Sequence, residues 1–387
     1  MSLLTEQPLL ILLLTGQIMH AMFGPNYKEP EGALMYGAAI VENGKSLQRI
    51  CVAMPEPTGT QILLDVTYCG VCHSDLHLQD GYYDLGHGKH LSLADRGVKL
   101  PLIPGHEVVG KVAALGPEAQ GVAIGDLRIV YPWAGCGTCP RCRAGSEQLC
   151  LKPNSLGVQR HGGYGTQVMV ETPAHLIEFG PLDPALAATF ACSGITAYAA
   201  IQKLLPLSAE DPVVIIGAGG LGHAAISILK ALGLNRIIIV DVDDAKLALA
   251  QNAGAVAGVN GNSPQLGMKI AEAAGAPVFG VVDFVGSGET ARAGIEALSR
   301  GGTYVPVGLF GGEVTLATAL LAIRGISIRG SYTGSLPDLR ALIEIARAGK
   351  LAPIALEQVP HAKADEALAR LRRGGVAGRL VLDASLT

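Results

Sequence analysis

Two hydrophobic rhythms divide the chain. Between about residues 34 and 190, short apolar or alternating runs at 62–68, 108–115, 128–131 and 165–170 are separated by Gly and Pro. That pattern predicts an irregular, β-rich, barrel-like domain. From Pro212 onward, β-type apolar runs at 213–216, 236–240, 281–285 and 303–307 alternate with helical stretches such as 221–232 and 245–253. Strand, helix and strand in this order predict an α/β unit, a parallel sheet with helices on both faces. Beyond Gly330 the periodicity predicts helices at 336–348 and 362–373 and a last strand at 379–382. No internal repeat, low-complexity tract or long flexible linker interrupts the sequence.

The start of the chain departs from both rhythms. Residues 9–14 are apolar, but no Lys or Arg precedes them and Glu6 stands where a secretory leader carries positive charge. The run is also too short to span a bilayer, so residues 1–33 read as an extension before the first domain. At 387 residues the chain has room for two cores. With 29 basic and 33 acidic side chains and a formal charge of −4, nothing in its electrostatics suits a phosphate backbone or an anionic membrane. Nucleic acid and membrane are therefore not expected partners. Four of the eight cysteines crowd between Cys136 and Cys150, which suits metal ligands in a reducing, cytoplasmic setting better than a disulfide framework.

The first candidate chemistry lies where the second rhythm begins. The buried run 213–216 leads into Gly217-Ala218-Gly219-Gly220-Leu221-Gly222, a G-x-G-x-x-G turn that opens a helix. Gly217 permits the turn, Gly219 lets backbone approach a pyrophosphate, and Gly222 lets helix pack on strand. The helix start, with Gly220 and Leu221, offers amide donors and a positive dipole end. Asp241 ends the next strand 19 residues after Gly222. A carboxylate there accepts ribose hydroxyls and repels a 2′-phosphate, which predicts NAD over NADP. The bland alternative is a glycine-rich turn serving some other ligand.

Cys136, Cys139, Cys142 and Cys150 form C-x2-C-x2-C-x7-C. Four soft thiolates on short loops suit a closed, structural tetrahedral zinc site; an iron–sulfur cluster or unligated thiols are the alternatives. A catalytic zinc needs three protein ligands and an open position. Cys72, His106 and Cys192 are candidates, yet each alone reads equally as a buried thiol or a core histidine, and spacing does not join them.

The motifs together resemble the zinc-containing medium-chain alcohol dehydrogenases. The resemblance runs from about residue 34 to the C-terminus, through G-V-C-H-S-D-L-H (70–77), G-H-E (105–107), the cysteine lobe, C-S-G-I-T-A-Y (192–198), the glycine turn, V-G-L-F-G (307–311) and Gly378-Arg379. The details are most similar to the prokaryotic and archaeal tetrameric branch.

This resemblance implies a GroES-like barrel over 34–190 and 330–387 and a Rossmann domain over 191–329. It implies zinc-dependent oxidation of a primary or secondary alcohol with hydride transfer to NAD, by a homotetramer or homodimer. Cys72, His106 and Cys192 would bind catalytic zinc, with Glu107 as a transient ligand and Asp75 orienting His106. Ser74 and His77 would relay the alcohol proton. His73 and Arg379 would touch the pyrophosphate, and Thr196 and Val307 the nicotinamide. Trp133 and Leu309 would shape the substrate pocket.

Three features depart from the family pattern. Residues 78–104 form a long insert with His87 and His90, expected to be a solvated loop rather than a third metal site. Arg128 in a barrel strand needs water or an acidic partner. Cys51 and Cys69 carry no assigned role and read as ordinary buried thiols. A specialised polyol or formaldehyde dehydrogenase is the main competing reading. A zinc-ribbon module that binds nucleic acid is the remote one, opposed by the charge balance and the glycine turn.

Overall fold

The computed structural model describes residues 33–386 apart from 375 and 377; the extension inferred for residues 1–33 lies almost wholly outside them. Val213–Ile216 is apolar at every position and buried on both sides, as a central parallel strand requires. It stands in a six-stranded parallel sheet. The strand order is Ala257–Asn260, Ile237–Asp241, Val213–Ile216, Gly280–Asp283, Thr303–Pro306 and Ser327–Ile328. Val213 faces Ile237 on one side and Gly280 on the other. Val213 and Ile215 enter one core with Ala224 and Ile228 of the helix Gly220–Ala231, whereas Val214 and Ile216 enter another with Ile270 and Ala293. The order of strands and the helices on both faces make this a Rossmann sheet whose ligand crevice lies at the carboxyl ends of its strands.

The other half is built on a barrel sheet that is antiparallel except for its first pair of strands, which run parallel. Its strands run Leu356–Pro360, Arg379–Asp383, Ile62–Gly70, Glu107–Leu115, Leu127–Val130 and Leu176–Ile177, and Gln167–Val170 joins at Ile62–Gly70. Ile62, Leu64, Val108, Val168, Leu380 and Leu382 fill its interior. Two registers matter for the chemistry: Gly70 lies opposite Glu107, and Val381 lies opposite Gly70. The last strand of the chain is thereby brought beside residues more than 270 positions earlier. Arg128, on Leu127–Val130, meets Asp126 at 2.7 Å, the acidic partner that its place in a barrel strand calls for.

One helical rod, Pro184–Gln202, belongs to both halves. Asp183 caps it by accepting from the Ala185 amide, and Pro184 starts it with no amide to lose. It is long and apolar enough to cross a membrane, but 83% of its most apolar window is buried inside the protein, packed into the core. A π turn at Phe190–Gly194 inserts an extra residue into the rod. The boundary read from sequence at 190/191 falls within this turn.

Candidate active site and metal centres

Cys72 ends the approach from strand Ile62–Gly70 and caps the helix His73–Asp80. Asp75 closes the cap, since its Oδ2 accepts from the Cys72 amide at 3.0 Å and from the Tyr164 hydroxyl at 3.1 Å. His106 immediately precedes strand Glu107–Leu115, and Cys192 sits in the π turn, where the irregularity re-aims its side chain. These three donors come from separate elements, yet one ligand atom of each lies within 4.8 Å of the others, with all three residues buried. The Cys72 and Cys192 sulfurs are 3.9 Å apart.

The donor set passes a physical test for zinc. His106 is fully buried, and both of its ring nitrogens lack a hydrogen-bond partner among the described residues. A buried polar atom left so is costly unless something else satisfies it, and two thiols with one imidazole suit tetrahedral zinc with one position open. Asp75 Oδ1 lies 3.4 Å from His106 Nδ1, at ion-pair distance but misaligned for a hydrogen bond. Burial works against a charged His106, but Asp75 and then Cys72 outweigh it and raise the imidazole well above its ordinary value. A hydrogen bond shared with Cys192, opposed by burial and reinforced by His106, holds the Cys72 thiol well below its usual range. That bond and burial push Cys192 up. A metal bound there displaces the proton on His106 and the one the two sulfurs share.

Behind these donors lies a buried ion pair. Glu107 Oε2 meets Arg379, Glu107 Oε1 accepts from the Ser193 amide at 3.2 Å, and Arg379 also donates to the Val71 carbonyl. Gly70 makes room for this: a Cβ there would stand 1.8 Å from Glu107 Oε2. Burial raises the Glu107 carboxyl to about 7 even though Arg379 pulls it down. Glu107 is not one of the donors that converge within 4.8 Å.

In front of them opens a cleft of about 360 Å³ that runs from Cys72 and Cys192 to the glycine turn. His73, Ser74, His77, Trp133, Thr196, Val307 and Leu309 line it, with Gly217, Gly219, Gly220, Leu221, Gly222 and Asp241 at the far end. The turn is tight because Gly217 has φ +101° and because a Cβ on Gly222 would meet the Gly217 carbonyl oxygen at 2.1 Å. Asp241 accepts from the Ala218 amide at 2.8 Å and from the Asp243 amide at 3.0 Å, so it fixes the turn as well as ending the strand. A side hollow of about 120 Å³ adjoins Gly219 and Gly220 and is lined by His73, Lys246 and Arg379. Trp133 donates to the Ala191 carbonyl at 3.0 Å and stands with its ring 5.2 Å from His106. Among the described residues the buried Thr196 hydroxyl has no hydrogen-bond partner, a donor and acceptor free for a ligand. Burial lowers both His73 and His77, which leaves each neutral near pH 7.

The structure adds residues that sequence reading passed over. Lys246 lines both hollows; it follows Asp241 by five positions in a helical stretch, and that signal was readable. Tyr164, Tyr83, Tyr332 and Thr333 come from segments without a motif. The insert at 78–104, expected to be a solvated loop, instead forms a hairpin of Tyr82–Asp84 with His90–Ser92, and it places Tyr83 in the cleft wall. His87 faces Glu313 at 3.5 Å and His90 stacks on Tyr82 at 4.0 Å. Among the described residues neither joins a group of converging metal donors.

The second such group is the cysteine lobe. Cys136, Cys139, Cys142 and Cys150 converge within 4.8 Å. Amides of Cys136, Cys139 and Lys152 point at the sulfurs, at 3.2–3.4 Å, as they do around thiolates. Thr138 hydrogen bonding lowers Cys136 to about 5, while burial raises Cys142. Four donors leave no position for a substrate, so this group suits a structural zinc. Glu147 ties the lobe to the barrel through the Gly135 amide at 2.9 Å and His175 at 3.2 Å.

Comparison with known proteins agrees with this architecture. Residues 58–179 match the alcohol dehydrogenase GroES-like domain, and residues 220–348 match the zinc-binding dehydrogenase domain. A NAD-dependent alcohol dehydrogenase of Sulfurisphaera tokodaii is 36% identical over 90% of this chain and 99% of its own length. The crystal structure of the alcohol dehydrogenase from Aeropyrum pernix superposes with a TM-score of 0.80 at 30% identity, covering 90% of this chain and 99% of that one. A cobalt- and zinc-bound thermostable alcohol dehydrogenase from Pyrobaculum aerophilum gives 0.76 at 26% identity, over 91% of this chain and 100% of that one.

Proposed function

Starting from the fact that the chain belongs to the zinc-containing medium-chain alcohol dehydrogenases, we propose that the cleft between Cys72 and the glycine turn is where it oxidises a primary or secondary alcohol with NAD. The observation that carries this reading is the meeting of two thiols and an imidazole at one end of a cleft whose other end is the dinucleotide turn. Bound there, zinc supplies the Lewis acidity that eases loss of the alcohol proton, and NAD supplies the hydride acceptor. Cys72, His106 and Cys192 hold the metal, and Asp75 holds His106 in place while Tyr164 holds Asp75. Cys136, Cys139, Cys142 and Cys150 hold the structural zinc.

Ser74 and His77 both line the cleft, Ser74 Oγ 3.7 Å from the Cys72 sulfur. Ser74 takes the proton from the substrate hydroxyl and passes it toward His77, which burial keeps neutral and able to receive it. Asp241 and Lys246 take the adenosine end of the cofactor, with the helix start at Gly219 and Gly220 and the Arg379 side chain at its phosphates. Thr196 and Val307 position the nicotinamide, and Trp133 and Leu309 wall the space left for the alcohol. Glu107, held by Arg379, serves as a reserve ligand behind the metal.

The same reading makes the enzyme a cytoplasmic homodimer or homotetramer. What supports association is the helix Thr318–Arg324, which leaves Leu320 54% and Ile323 65% exposed near Ser327–Ile328, the outermost strand of the described sheet. NADH formation across primary, secondary and cyclic alcohols tests the reading. Activity should appear with at least one of them and disappear on chelation of zinc. Turnover that survives complete removal of metal contradicts it.

A further inference from the structure

Beside the aromatic wall of the substrate pocket stands a charge that the reaction itself does not use. The pocket's walls are aromatic: Trp133 and Tyr332 meet edge to face at 6.2 Å, and Tyr83 lines the opposite side from the 78–104 insert. Arg96 closes a one-turn 3-10 helix, Ala94–Arg96, in the same insert. Its backbone is fixed by a bond from its amide to the Leu93 carbonyl at 3.0 Å and one from Gln159 to its own carbonyl at 3.3 Å. Its guanidinium carbon stands 6.0 Å from the centre of the Tyr83 ring.

Burial raises the phenols of Tyr83 and Tyr332, and Arg96 opposes that rise at both. Both phenols also feel the Cys192 thiol. Both tyrosines line the same cleft as Cys72 and Cys192. Among the described residues Arg96 meets no carboxylate within 4 Å, and it is exposed. A planar guanidinium without an acidic partner, beside two tyrosines of the cleft wall, matches one group above all: a carboxylate that it can bind through two parallel N–H···O bonds.

We propose that Arg96 anchors a carboxylate carried by the substrate, so that the favoured alcohols are hydroxy acids whose carboxylate lies across an apolar or aromatic spacer from the carbinol. The inference rests on the alcohol-oxidising reading of the cleft. An exposed pair of this kind contributes up to about 1 kcal/mol, a preference of about fivefold.

The test compares benzyl alcohol with 4-(hydroxymethyl)benzoate, which share the reacting carbon and differ by the carboxylate. With the zinc-loaded enzyme and NAD, the hydroxy acid should show a kcat/KM up to about fivefold higher, chiefly through KM, and the difference should shrink as salt rises. Arg96→Gln should bring the two substrates within about twofold, whereas Lys99→Gln, which removes the same charge three residues away, should keep the preference. Trp133 is the only tryptophan of the chain and lines the pocket. Its fluorescence in the NADH complex therefore reads binding without turnover, and the hydroxy acid should titrate it at the lower concentration. Equal handling of the two compounds in both measurements, or a preference that survives Arg96→Gln, overturns the proposal. A fluorescence preference lost in Arg96→Gln, with no turnover of any alcohol, leaves the anion anchor standing and sinks the alcohol-oxidising reading.

Discussion

Glu107 and Arg379 show how much a single buried pair does here. Each is almost fully buried, so replacing Arg379 by Met strands a carboxylate in the interior, which costs about 3–5 kcal/mol. The midpoint of thermal unfolding should then fall by at least roughly 6 °C, and the double variant Arg379→Met, Glu107→Gln should recover most of the loss. A single variant that melts within a degree or two of the parent contradicts the buried pair. His77 supports a different expectation. Burial, and then His73, lower its pKa below 6.5, so its proton-accepting form is complete at neutral pH and is lost as pH falls through the lowered value. The kcat/KM of alcohol oxidation should therefore carry an acidic limb with a midpoint below 6.5. His77→Gln should remove that limb and slow turnover about ten- to a hundredfold at pH 7; an unchanged profile takes His77 out of the relay.

The elements differ in how openly the sequence announces them. Strand Val213–Ile216 and the glycine turn were legible because their signal is local: four buried positions, then residues whose lack of a Cβ is needed within six positions of one another. The cysteine lobe was legible for the same reason. Its metal should matter to the fold, because loops held by Cys136, Cys139, Cys142 and Cys150 have little apolar core of their own. Cys139→Ser should lower the melting midpoint by at least about 4 °C, the equivalent of roughly 1–2 kcal/mol in a domain of this size, and should reduce bound zinc by one per chain. Unchanged melting with zinc retained contradicts a structural role. The π turn at Phe190–Gly194 had no such signature, since its extra residue shows only in the backbone. The hairpin Tyr82–Asp84 and His90–Ser92 is too short for its period to stand out.

At the scale of the molecule, the site exists because distant segments meet. Cys72 and Cys192 lie 120 positions apart and Tyr164 is 89 from Asp75. Arg379 reaches Glu107 only because the last strand pairs with Ile62–Gly70, which itself pairs with Glu107–Leu115. Pairings of this kind leave no trace in local periodicity. Composition and spacing alone therefore left Cys72, His106 and Cys192 as three unrelated residues, and only the likeness of their motifs to a family joined them. Tyr83 and Tyr332 had no motif at all, and they line the cleft in which substrate choice is set.

The central claim is that zinc sits between Cys72, His106 and Cys192 beside the nicotinamide end of the cleft. Anomalous diffraction at the zinc edge, from crystals of a preparation shown to be active, tests it most directly. Two peaks per chain are expected, one among those three side chains and one within the cysteine lobe. An active preparation whose only peak lies in the lobe would contradict the account.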